Sequence, residues 1–166
     1  MSMRVPAILA MSAFALPSAA ETQPDLLPVR QMSLELARDI ATLSIEACRK
    51  GGYSVSAVVL DRAGNLQAAL RDSLAPRYTL EIAERKAGMA VMSGSDTGGF
   101  RASRADIRPE LNHMRGLIVM EGGLPIRAAG SLVGAVGVSG APGGEKDAAC
   151  AEEALKAVQE RLELAS

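Results

Sequence analysis

Aromatic residues are scarce in this chain: two Tyr, two Phe and no Trp among 166 residues. A protein that stacks bases needs more rings than that, so single-stranded nucleic acid is excluded as a natural partner. The charge is near balance, at −1 overall, and no basic block interrupts it. Neither nucleic acid nor an anionic membrane surface is favoured by such a chain. Histidine occurs once, at His113, and cysteine twice, at Cys48 and Cys150. A protein-built zinc site needs several clustered His or Cys ligands, which one His and two distant Cys do not supply. A C-x-x-C pair is also missing, so no thioredoxin-like redox site is present.

Two apparent catalytic motifs fail on their neighbours. Gly137-Val138-Ser139-Gly140-Ala141 begins like a nucleophile elbow but lacks the closing glycine, and the lone histidine precedes Ser139 instead of following it. Gly140 to Lys146 precedes a helical pattern as a phosphate cradle would. It lacks the G-K-[ST] ending, and Pro142 removes a backbone donor. No two carboxylates stand out as an acid/base couple.

What is present begins with a leader-like segment. Arg4 gives a positive start, Val5 to Leu16 is apolar, and Pro17-Ser18-Ala19-Ala20 supplies small residues. This reads as a signal peptide over residues 1–20, too short to span a bilayer. Its removal would take away one basic residue and no acidic one, moving the net charge from −1 to −2. The expected location is periplasmic or secreted. Residues 21–32, with Pro24 and Pro28, read as a flexible tail. Outside the cytosol, Cys48 and Cys150 are either a disulfide, which needs their helices adjacent and Cα atoms within about 7 Å, or two small buried thiols.

A single domain is expected over residues 33–163. Ser33 is placed to cap a helix whose apolar face is Leu36, Ala37, Ile40, Leu43, Ala47 and Cys48. Tyr53–Leu60 and Leu66–Arg71 form a hairpin around Asp61–Asn65. A second helix runs from a Thr79 cap to about Met92, with Glu81, Glu84, Arg85 and Lys86 on its polar face. Leu117–Met120, Leu124–Ala128 and Leu132–Val138 read as three further strands, and a last helix runs from about Glu145 to Leu162. Glu121 to Asp147 holds eight of the sixteen glycines. Beside an apolar strand, these imply tight turns or close backbone approach. Helices before, between and after antiparallel hairpins make an α+β sandwich, with the terminal helices together on one face.

Three segments in this order resemble a known family. They are Val58–Leu66; Leu70-Arg71-Asp72 with Thr79, Ile82-Ala83 and Lys86-Ala87; and Gly122-Gly123-Leu124-Pro125-Ile126 with Gly134 to Gly140 and Asp147 beyond. The chain is identified by them as a member of the GlcG/HbpS-like family of haem-binding and haem-degrading-type proteins, which includes the C-terminal domain of some cobalamin adenosyltransferases. The resemblance covers roughly residues 33–162. It implies a five-stranded antiparallel sheet with helices on both faces, in a profilin- or PAS-like layout. It also implies homo-oligomers from dimer to octamer, haem as a cofactor for several members, and a membrane sensor partner for some secreted ones.

Where close relatives carry Gly-Pro-His-Thr, this chain reads Pro76-Arg77-Tyr78-Thr79, so Tyr78 stands where the natural iron ligand would be. A tyrosinate ligates haem iron in some proteins, and Arg71 and Arg77 stand near it in sequence. His113 is the other residue type suited to iron. The expected ligand-binding residues are Arg71, Tyr78, Lys86, Gly122, Gly123 and Arg127, between the second helix and the Gly-rich hairpin. The expected function is non-catalytic binding of haem or a related tetrapyrrole, with haem or redox sensing as its setting. The rival readings are a small enzyme of haem degradation or small-acid metabolism, and a purely structural oligomeric accessory protein.

Overall fold

The computed structural model describes residues 25–164. The expected signal peptide lies outside them. Four strands form one antiparallel sheet: β1 (Ser56–Asp61), β2 (Leu66–Arg71), β3 (Gly123–Ala128) and β4 (Ser131–Ser139), in the order β2-β1-β4-β3. The central pair, β1 and β4, runs in register from Ser56 opposite Ser139 to Asp61 opposite Gly134. Both are almost wholly buried, because each is covered on both faces.

Helix α1 (Leu34–Lys50) and helix α5 (Gly144–Ala157) pack side by side on one face. They enclose the main core with Ala57, Val59, Val136 and Val138. Ser33 Oγ accepts from Leu36 N–H at 3.2 Å, the expected cap of α1. Cys48 and Cys150 are bonded to each other across these helices, with their Cα atoms 5.2 Å apart. Helix α2 (Tyr78–Ser93) covers the opposite face over Val58, Leu60 and Ala135. The short helices α3 (Thr97–Ser103) and α4 (Arg108–His113) follow it, and α6 (Gln159–Leu164) ends the described chain. Met32, at the end of the irregular segment before α1, is buried against the core.

The sheet therefore has four strands among the described residues, where five were expected. The missing strand is Leu117–Met120. Its backbone donors are taken elsewhere: Ile118 N–H binds the Arg85 carbonyl at 3.2 Å, and Val119 N–H binds Asn112 Oδ1 at 2.8 Å. Val119 is buried with Met89 and Leu111, beside α2 instead of beside a strand. An apolar run of four residues satisfies a helix-side cluster as well as a sheet, and periodicity does not separate the two.

Small residues bring α2 unusually close to the sheet. Gly123 and Gly137 are direct partners across β3 and β4. A Cβ at Gly137 would collide with the Ala83 carbonyl, and one at Gly123 would strike the Lys86 carbonyl. The helix answers with Ala83 and Ala87. Close backbone approach is what these two glycines serve.

Candidate functional site

The expected ligand set separates into three places. Lys86, Gly122 and Gly123 come together inside the protein. Lys86 lies on the buried stripe of α2 with Thr79, Ala83, Ala87 and Ala90, which recur at three- and four-residue steps. Its assignment to the polar face is thus corrected: the side chain is 1% exposed. Its Nζ donates to Asp147 Oδ2 at 2.7 Å and to the Val138 carbonyl at 2.9 Å. Asp147, 3% exposed, accepts a further bond from Ala141 N–H at 2.9 Å, so it ties the turn before α5 instead of simply capping that helix. Burial raises the Asp147 carboxyl above its usual range, and the Lys86 charge and the Ala141 N–H offset part of this. Gly122, at φ 116°, passes between them. A Cβ there would lie 2.8 Å from both Lys86 Nζ and Asp147 Cβ. Gly123 N–H is held by Thr97 Oγ1 at 3.0 Å. No buried side-chain N or O among the described residues lacks a partner. The space between α2 and the Gly-rich hairpin is filled by protein, so these three residues close the fold instead of facing a ligand.

Arg71 and Arg127 sit at opposite ends of α2. The Arg71 guanidinium donates to the carbonyls of Asp72 and Ala75 and so braces the loop entering α2. Arg127 donates to the Gly94 carbonyl at 2.7 Å and to the Gly130 carbonyl at 3.2 Å, tying the β3–β4 turn to the end of the helix. The 16-residue helix between them is about 24 Å long. A single small ligand does not bridge both.

Tyr78 opens α2 and is 64% exposed, with the Arg77 guanidinium 4.8 Å from its ring centre. Thr79, expected as the cap, instead bonds the Pro76 carbonyl and Ser56 Oγ, each at 2.7 Å. His113, the last residue of α4, is exposed and lines a groove of about 410 Å³ with Glu81, Glu84, Arg85, Met114 and Arg115. Tyr78, Glu81 and Arg85 share one stripe of α2, three and four residues apart. Nothing in the linear pattern places His113 beside this helix. The structure does so through Arg85, whose Nε donates to the Leu117 carbonyl at 3.1 Å and whose Nη2 reaches the Asn112 carbonyl at 3.5 Å. Arg85, Asp147 and Thr97 were absent from the expected set. Only Asp147 carried a prior signal, its place in the family pattern.

This geometry stands beside clear relatives. The family described as haem degrading protein, HbpS-like, matches residues 32–156. GlcG of Escherichia coli K12 is 34% identical over 109 residues, covering 65% of this chain and 81% of that protein. The crystal structure of HbpS is 34% identical with a TM-score of 0.76, covering 84% of this chain and 99% of its own. The PduOC–haem complex shares the fold at 22% identity and a TM-score of 0.67, over 77% of this chain and 95% of its own. An antiparallel sheet with helices on both faces is the class of fold that the chain shares with these structures. The chain belongs to the HbpS-like family.

Proposed function

We propose that this chain is an exported, homo-oligomeric protein that binds haem or a related tetrapyrrole on the outer face of α2. The observation that carries the reading is the shared stripe. Tyr78 and the His113 groove, the two sources of an iron ligand, border one exposed face of a single helix. The donor chemistry fits: phenolate and imidazole both ligate haem iron, and guanidinium groups pair with propionates. Among the described residues no group of three His, Cys, Asp or Glu side chains gathers to hold a bare ion. A macrocycle brings its own four nitrogens, and Tyr78 or His113 would supply the protein's donor to its iron. The disulfide between α1 and α5 supports export, since such bridges persist in oxidising compartments. The buried Lys86–Asp147 pair is sealed from solvent, which favours binding over acid/base catalysis.

Haemin titration followed in the Soret band tests this. The wild type is expected to show a saturable spectral change, altered in shape or affinity by Tyr78→Phe or His113→Ala. No saturable change in the wild type overturns the reading. Haem degradation is the second reading, favoured by the family's description. Slow bleaching of bound haemin by a reductant and oxygen, with release of an open tetrapyrrole, would select it.

A further inference from the structure

The two edges of the sheet are finished differently. In an antiparallel ladder, successive residues of a strand aim their backbone groups alternately to one side and the other. Val138 N–H binds the Gly122 carbonyl at 2.8 Å, so along β3 Leu124 and Ile126 face β4, while Gly123 and Pro125 face outward. The Gly123 N–H is taken by Thr97 Oγ1, and Pro125 has none. That edge offers little to a further strand.

Strand β2 forms the opposite edge. Asp72 N–H binds the Val55 carbonyl at 2.9 Å, with Leu70 opposite Ala57 and Ala68 opposite Val59. Leu70 and Ala68 therefore face β1, and the backbone groups of Ala69 and Arg71 aim outward. Among the described residues nothing bonds those outward groups. The strand holds no Pro and no Lys, the residues that commonly blunt an edge. Ala69 is exposed, as are Leu66 at one end of the strand, at 56%, and Leu74 just beyond the other, at 84%.

We propose that the β2 edge is the two-fold interface between copies of this chain, joining two four-stranded sheets into one continuous antiparallel sheet. This rests on the homo-oligomeric part of the function proposed above and names its surface. Two copies related by a two-fold lie antiparallel along the edge, so unlike ends meet. With Ala69 of one copy opposite Arg71 of the partner subunit, each outward N–H faces an outward carbonyl. The same register brings Leu66 against Leu74 of the partner subunit, twice, and covers both exposed side chains. Arg71 is the only charge on β2 and meets Ala69 instead of its own equivalent, so no like charges are opposed. An unpaired edge otherwise invites uncontrolled association, and a closed two-fold removes it.

Light scattering coupled to sizing chromatography, over a range of concentrations, tests this. The wild type is expected to run as a dimer or a multiple of one. Ala69→Pro deletes an outward donor that the β1 ladder does not use. Ala69→Lys places a second cation opposite Arg71. Each is expected to weaken self-association about tenfold or more, because a two-fold suffers every loss twice, while Ala69→Val leaves it unchanged. Circular dichroism confirms an intact fold. In the wild-type assembly, the Ala69 and Arg71 amides are expected to resist hydrogen exchange and to lose that protection on dilution. If the wild type assembles but Ala69→Pro and Ala69→Lys keep its mass, the β2 interface is refuted while the homo-oligomeric reading stands. Amides that exchange freely in the assembly refute it equally. If the wild type is monomeric throughout, both fall, and the haemin titration still decides the haem reading by itself.

Discussion

At the scale of single residues, Lys86 and Asp147 are the main electrostatic commitment of the fold. Two buried charges 2.7 Å apart are worth little net, yet removing one strands the other. Lys86→Met is expected to cost about 3–5 kcal/mol in urea denaturation at neutral pH. The cost should shrink on acidification, because burial already raises the Asp147 carboxyl and a neutral carboxyl needs no cation. The double variant Lys86→Met/Asp147→Leu should recover most of the loss; if it is as unstable as the single change, the pair is not the reason. Acid stability has other contributors of opposite sign. Arg49 and the Ser73 N–H hold the Asp72 carboxyl below its usual range. Burial would raise Asp61, but bonds from Asn65, Ala63 and Gly64 outweigh it and lower the group. A lowered folded value contributes stability above the unfolded value of about 3.9, which is lost as pH falls through the folded one. Asp61→Asn and Asp72→Asn should each flatten the fall in stability below about pH 4. Lys86 also shows where residue type misleads. Its spacing with Ala83 and Ala90 was visible in the sequence, but an ammonium group is ordinarily exposed. The buried partner, sixty-one residues away, was not visible.

Between elements, the α2–sheet contact decides the architecture. The glycine-rich hairpin was legible as a place of close approach, and its occupant turns out to be the backbone of α2. Gly137→Ala should cost about 1–3 kcal/mol or more, because the new methyl group meets a carbonyl and not a flexible side chain. Ala83→Gly should not rescue it, since the contact is with main chain; full rescue would contradict this packing. The three long helices and the two hairpins were readable from turns and periodicity, as with the Ser33 cap and the Asp61–Asn65 turn, whereas α4 and the break between α5 and α6 were not. Leu117–Met120 was not, because four apolar residues carry no period. Its place depends on Arg85 and Asn112, whose side chains reach its backbone and that of its neighbours. The same clamp places His113, which is why the face proposed to bind haem was not assembled from sequence alone.

For the whole molecule, the bridge between α1 and α5 joins residues 102 apart and closes most of the domain into a loop. Cys48→Ala/Cys150→Ala is expected to lower stability by about 2–5 kcal/mol, and reductant should lower the wild-type midpoint but not that of the variant. An unchanged midpoint would show that the bridge does not form in solution. Those cysteines stayed open between a bridge and two thiols in the sequence, since only the packing of the terminal helices brings them together. The family was legible from three motifs in order, and the antiparallel α+β layout follows from it, though not the number of strands. The proposed ligand face was only partly legible. Tyr78 and His113 stand on the exposed face that the proposal uses, whereas Lys86, Gly122, Gly123, Arg71 and Arg127 make contacts within the fold. The most direct test of haem binding on the α2 face is the absorption spectrum of the protein purified from its own host, before and after added haemin. The predicted result is a Soret band that is present or saturably acquired, and that changes with Tyr78→Phe or His113→Ala. A spectrum that stays flat through the Soret region, with added haemin behaving as it does in buffer, contradicts it.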